Sequence, residues 1–219
     1  MKASSRTRRI HYPTKTSPDN WLAMLSYMAI FIALPICSAP AKAEVKIEPQ
    51  SITIQNLYSL QQEKYLVLDS NISFNLPESV VSAIEHEIQI SFKTEIKLTE
   101  KISILGLSFT RVRKTVEYHT KITTQGVNQH FVLYNTRNLK RQTFPTLVSA
   151  LQTLGTLRAF PFIELSELHP EQRYHIKMQV SLDHWQLPAP LVIDSLFDDN
   201  WQLNSGWFGI DLETPKSWM

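Results

Sequence analysis

The sequence predicts a mainly β fold, an antiparallel β-sandwich or partly open barrel with one or two short α-helices, preceded by an N-terminal signal sequence. Three observations carry this expectation. Long segments alternate apolar and polar side chains with a period of two, the links between them are short, and the chain begins with a basic stretch followed by an uncharged apolar run. With 219 residues, 43% hydrophobic and 19% charged, the composition suits one ordinary globular domain and excludes collagen-like, low-complexity and coiled-coil chains.

The leader comes first. Lys2, Arg6, Arg8, Arg9 and Lys15 stand against a single acid, Asp19, and an uncharged stretch from Trp21 to Ala41 follows. Ala41-Lys42-Ala43 places small residues at the two positions a signal peptidase reads, so the expected cut lies between Ala43 and Glu44. The chain then divides into residues 1–43, a signal peptide, and residues 44–219, a single β-rich domain. The rival reading is an uncleaved anchor, because about 20 apolar residues suffice to cross a bilayer as helix. Pro35 and Pro40 favour cleavage by breaking helix near the end of the run. Bulky Ile36 before Cys37 argues against lipidation, and Arg8-Arg9, followed by His11 and Tyr12, reads as an ordinary basic start rather than a twin-arginine signal. The expected location is exported, either periplasmic or anchored in the inner membrane facing the periplasm. Membrane contact is expected only through the N-terminal segment if it stays uncleaved.

Removing the leader changes the electrostatics. It holds six of the 22 basic residues and one of the 20 acidic ones, so residues 44–219 carry 16 basic against 19 acidic side chains. The surplus positive charge of the whole chain therefore belongs to the leader and gives no reason to expect nucleic-acid binding. The lone cysteine leaves as well, and with it thiol redox, thiolate metal ligation and cysteine catalysis.

Within the domain, Ile88, Ile90, Phe92, Ile96 and Leu98 share one face of a segment from Glu87 to Leu98, and only Thr94 breaks the rule. From Arg173 to Asp183 the alternation is unbroken, with Tyr174, Ile176, Met178, Val180 and Leu182 on the apolar face. Between these, Val112, Val116, Tyr118 and Ile122 alternate with Arg111, Arg113, Glu117, His119 and Lys121. A helical period of 3.6 would scatter these side chains around the axis. Further strands are expected at Ser51 to Tyr58, Lys64 to Phe74, Gln129 to Asn135, Leu191 to Phe197 and Trp201 to Leu212. Thr124-Gln125-Gly126, Leu187-Pro188-Ala189-Pro190 and Asp198-Asp199-Asn200 read as turns. One-sided strands with short links imply antiparallel pairing. Two helices interrupt them: one opened by Pro77 with Val80, Val81 and Ile84 inward, and one capped by Thr146 and running through Leu147, Leu151, Leu154 and Leu157.

Reactive constellations are sparse. His86, His119, His130, His169, His175 and His184 include no i, i+4 pair on an expected helix, and pairing about Gly126 sets His119 opposite a residue near Val132, away from His130. Asp194, Asp198, Asp199 and Asn200 lack calcium-loop spacing, and no Gly-x-Ser-x-Gly elbow marks a nucleophile. We therefore expect no catalytic residue, no metal ligand and no cofactor. The candidate interaction surface consists of Trp201 and Trp207, read first as packing anchors with a carbohydrate, peptide or interface platform as the alternative, and of Arg111 and Arg113 in the densest basic group. For that group, pairing with Glu95, Glu100 or Glu117 is the ordinary reading and contact with anionic headgroups the other.

The order of Phe144-Pro145-Thr146-Leu147, Ala150-Leu151, Leu154-Gly155, Arg173-Tyr174, Leu182-Asp183, Leu187-Pro188 with Pro190, and Trp201-Gln202-Leu203 with Trp207 resembles the exported proteobacterial domain-of-unknown-function family 4390. Leu66 to Phe74 fits that family's opening strand, and the likeness covers roughly Ile52 to Leu212. The resemblance implies a Gram-negative envelope protein with no established activity or cofactor, and it makes a sensor kinase a conceivable partner. It transfers no functional residue. Ser149 departs from the acid common there, and the leader is longer. The expected function is a non-catalytic accessory or protein-interaction domain of the envelope with an unknown envelope partner. The alternatives are a small-ligand or lipid-binding β-barrel and an unrecognised periplasmic hydrolase.

Overall fold

The computed structural model describes residues 51–126, 129–170 and 172–212. The expected leader, its cut between Ala43 and Glu44, and Trp218 lie outside them. Nine strands among the described residues build two antiparallel sheets. Three strands form the smaller one in the order β1-β2-β7: β1 (Ser51–Gln62), β2 (Tyr65–Asn75) and β7 (Thr156–Glu164). Six form the larger one in the order β6-β5-β4-β3-β8-β9: β3 (Ile90–Ile104), β4 (Leu107–Gln125), β5 (His130–Asn135), β6 (Lys140–Phe144), β8 (Arg173–Leu182) and β9 (Phe208–Asp211).

The alternation read from the sequence is what buries one face of each sheet. Ile90, Phe92, Ile96 and Leu98 of β3 and Tyr174, Ile176, Met178, Val180 and Leu182 of β8 all enter one core. Thr94 lies on the same buried face, where its hydroxyl is a hydrogen-bond partner for Tyr118, so the apparent break in the pattern is a satisfied polar position. The two inner faces meet through aromatic rings. Phe74 packs edge-on against Phe92 with centroids 5.2 Å apart, and Tyr118 stacks on Phe160 at 6.2 Å. Among the described residues the architecture is thus two open antiparallel sheets, the sandwich of the two expected forms, and no barrel closes.

Among the described residues three α-helices are present where one or two were expected. In α1 (Glu78–Glu85), Pro77 occupies the N-cap, and Val80, Ala83 and Ile84 point into the core. In α2 (Leu147–Leu154), the Thr146 hydroxyl accepts from the Ser149 amide, and Gly155 ends the helix. The Gly155 carbonyl then accepts from the Ile72 amide, so closely that a Cβ on Gly155 would lie 2.0 Å from the Ile72 oxygen. The third, α3 (Ala189–Phe197), replaces the strand expected at Leu191 to Phe197. The β-branched run Val192-Ile193 suggested a strand, but Pro188 and Pro190 preset helical φ and fill the first turn, whose amides need no intrahelical partner. Of the strand expected at Trp201 to Leu212, only β9 forms. Short β6 and proline-bearing β7 were not foreseen.

One irregularity controls the far end of the large sheet. Leu98 pairs with Lys114 and Thr99 with Val112, so Arg113 is the extra residue of a β-bulge. An extra residue reverses inside and outside along the rest of a strand. Val112, expected on the apolar face, is consequently exposed, and Arg111 takes the inward position opposite Glu100. Independently of the bulge, the register of β4 against β5 sets His119 beside Thr136 and not near Val132, and the Thr136 amide donates to the His119 carbonyl at 2.9 Å.

Beyond the bulge, β3 and β4 continue as a two-stranded hairpin. Strand β8 follows β3 only as far as Lys101, so Ile102 to Phe109 pair with one another alone. The turn is Leu105-Gly106, with φ of +52° and +83°. Two positive φ values define a tight hairpin turn that usually takes Asn, Asp or Gly first, because a bulky side chain there costs about 1–2 kcal/mol. Leu105 occupies that position and is 99% exposed, so it gains no packing in return. Substituting Leu105→Asn is expected to raise stability by about 1 kcal/mol, or a melting temperature higher by roughly 2–4 °C. An unchanged or lower melting temperature in calorimetry would show that Leu105 makes a stabilising contact.

Candidate interaction surface

The four residues singled out from the sequence fall in three places. Arg111 and Arg113 share one acceptor: the Glu100 Oε2 takes a hydrogen bond from the Arg111 guanidinium at 3.1 Å and lies 3.6 Å from the Arg113 Nε. Glu100 is only 3% exposed, so its charge needs these partners, whereas both arginines reach water. The bulge makes this possible by turning Arg111 inward while Arg113, the extra residue, swings to the same carboxylate. The cross-strand pairing with Glu100 read from the sequence is therefore present.

The two tryptophans part company. Trp201, in a short 3-10 turn after α3, is 5% exposed and belongs to the core. Trp207 is 41% exposed on the outer face of the large sheet, where Lys97 of β3 and Lys177 of β8, direct cross-strand neighbours, each place an ammonium 4.7 Å from its ring centroid. Two cations on one ring constitute a cation–π arrangement, and the Lys97 ammonium is also 2.5 Å from Glu95.

A feature missed in the sequence lies on α3. Leu191 and Val192 pack toward the core, while Ile193, Leu196 and Phe197 point outward, Phe197 being 87% exposed. Trp185, 78% exposed, sits in the adjoining 3-10 turn His184–Gln186. A helix apolar on every side is normally buried on every side. The signal was available in the two prolines that open α3, since helical spacing is what sends Ile193, Leu196 and Phe197 to one side.

The turn and the helix are tied by a His–Ser contact: His184 Nδ1 lies 3.1 Å from the Ser195 Oγ. This is not a nucleophile and its base. Ser195 is wholly buried, and its hydroxyl donates to the Val192 carbonyl at 2.8 Å, leaving the oxygen to accept from the imidazole. The other polar groups are similarly committed. His119 meets Asp183 at 3.0 Å, His175 meets Asp211 at 3.0 Å, and the Asp198 carboxylate accepts from the Asn200 amide at 3.0 Å. Among the described residues, no three His, Cys, Asp or Glu side chains are grouped to hold a metal ion. Also among them, no helix is long and apolar enough to cross a membrane.

A polar cavity of about 300 Å³ opens between the sheets beside α2. Arg137, Lys140 and Arg158 are among its lining residues, together with Thr94, Tyr118 and Asn135, and no carboxylate lines it. The Arg137 guanidinium lies over the Phe160 ring at 4.4 Å, while Arg158 is engaged by the Asn71 side chain at 2.7 Å. Burial raises the Tyr118 pKa, which keeps its phenol protonated at the cavity wall.

Burial lowers the His184 pKa from its ordinary 6.5, and nearby Asp183 opposes that only in part. The folded state then binds fewer protons than the unfolded one. The stability His184 contributes is present above pH 6.5 and is lost as the pH falls from there through the folded value. We expect His184→Asn, which keeps a donor for Ser195, to lose less stability than the unsubstituted protein between pH 7.5 and 5. Equal losses in denaturant titrations at the two pH values would refute the burial account.

Comparison with known proteins adds one relation. No curated protein and no solved structure matches the chain at a significant level. A family model described as a domain of unknown function, DUF4390, matches residues 49–211, which takes in every element described above. The chain belongs to the DUF4390 family.

Proposed function

We propose that this protein is an exported, non-catalytic domain of the cell envelope that works by holding another protein. The observation that carries the reading is the outward apolar side of α3, formed by exposed Ile193, Leu196 and Phe197, on a helix in contact with the 3-10 turn that bears exposed Trp185. Large apolar side chains grouped on a surface are the usual signature of a contact site, and aromatic anchors dominate the energy of such contacts. Export rests on the basic start, the apolar run to Ala41 and the small residues before Glu44. An envelope protein, a sensor kinase among the candidates, is the partner this places within reach.

The test is a photo-crosslinking amino acid introduced at Phe197 or Ile193 in cells producing the full chain, with Ser73 as an exposed control. One discrete adduct from the α3 positions and none from Ser73 is expected, together with an N-terminus at Glu44 in the cellular protein. Absence of any adduct from α3, or an intact chain free in the cytosol, would overturn the reading.

The cavity favours a second reading, the binding of a small anionic ligand. Three cationic side chains with no facing carboxylate leave a positive potential in a concave site. In native mass spectrometry, protein purified from cells would then retain a small anion that Arg137→Ala or Lys140→Ala releases; ligand-free spectra would remove this reading.

A further inference from the structure

The β3–β4 hairpin combines features that nothing in the fold or in the α3 contact requires. From Ile102 to Thr110 the chain carries no charge, and Leu105, Leu107 and Phe109 are all exposed. Leu105 is there in spite of a backbone conformation that disfavours it. Immediately behind this apolar tip stand Lys101, Arg111, Arg113 and Lys114, and Arg173 faces Lys101 across the sheet. Glu100 compensates part of that charge by binding Arg111 and Arg113, Glu167 lies 4.0 Å from Lys114, and Asp211 sits nearby on His175. The basic side chains remain in the majority.

From these observations we propose that the hairpin is a membrane-docking element. Its Leu105, Leu107 and Phe109 tip enters the surface of an anionic phospholipid bilayer, and the basic band binds the headgroup phosphates. The dimensions agree. Leu105 lies four positions beyond Lys101, and at about 3.3 Å per residue the tip reaches roughly 13 Å past the band. Interfacial elements typically bury their apolar groups about 5–10 Å into the headgroup and acyl boundary. Pairing between the two strands satisfies the backbone groups that face the partner strand, and the outward-facing ones need water or headgroup partners, which limits the tip to the interfacial layer. A protein groove would accept the same leucines, but it gives no reason for a cationic ring around them; anionic headgroups do. The surface differs from that of α3. It extends the expectation of membrane contact from the N-terminal segment to the folded domain itself.

The test reads the tip locally in the full chain. With Cys37→Ser removing the single native cysteine, Ser108→Cys carries an environment-sensitive fluorophore beside the intact apolar tip, and His130→Cys carries it in a second protein, away from the hairpin. The proteins are added to vesicles of phosphatidylcholine with or without about 30 mol % phosphatidylglycerol, a stand-in for an anionic leaflet. The expected result is a blue shift at position 108, with quenching by lipid-borne quenchers, on the anionic vesicles and not at position 130. Because the signal comes from position 108, lipid binding by the N-terminal segment cannot produce it. Leu105→Asn, which relieves the turn, and Lys101→Gln with Arg173→Gln, which leaves Glu100 paired, are each expected to raise the lipid needed for half the shift about tenfold. Water-like emission at position 108 on anionic vesicles would overturn the proposal. So would an equal shift on neutral vesicles, no effect of either variant while the protein stays folded, or a shift that only a protein partner induces.

Discussion

Strand β3 is hydrogen-bonded along both edges, to β4 on one side and β8 on the other, and its inner face is buried from Ile90 through Leu98. Every other part of the domain is placed by that constraint. A slip of one residue against either neighbour would turn the whole apolar set toward water, so the register is fixed by the side chains themselves. The small sheet docks on this face through Phe74 and Phe160, α1 covers one end, and α2 is held to β2 by the Gly155–Ile72 hydrogen bond. The order of the large sheet then determines which side chains are left outside, among them Trp207 and its two lysines.

The parts of the fold that were legible in the sequence are those where one physical term dominates. Unbroken alternation from Arg173 to Leu182 has no helical solution, and Thr146 before a leucine stripe caps a helix wherever it is placed. The parts that were not legible depend on competition. Val192 and Ile193 favour strand by intrinsic preference, but two prolines and burial of Leu191 and Val192 favour helix, and the helix won. The bulge at Arg113 has only a slight local mark. Lys114, at the apolar parity between Val112 and Val116, breaks the alternation, but only the pairing of β4 with β3 shows Arg113 to be the extra residue.

The same distinction governs the candidate surfaces. Trp201 and Trp207 lie six residues apart in the sequence, yet one closes the core and the other lies under two ammonium groups. Arg111 and Arg113 are visible as a basic cluster, but their shared carboxylate and the apolar tip beyond them are properties of a hairpin that outruns its sheet. The exposed side of α3 was hidden by the expectation of a strand. Contact surfaces are thus harder to read than cores, since their side chains are chosen for something the chain does not contain.

The free margins of both sheets have a consequence for the unpartnered protein. Strand β6 is five residues long and bears Lys140 and Arg141, β9 has four residues, β7 carries Pro161, and β1 lies against β8 and β9 of the other sheet. Short, charged or proline-bearing margins deny an incoming chain the continuous ladder that fibril growth needs. Outside the hairpin, whose edges from Ile102 to Phe109 stay open, the two sheets therefore offer little template for runaway self-assembly, so stickiness and the capacity to polymerise coincide only at that one projection.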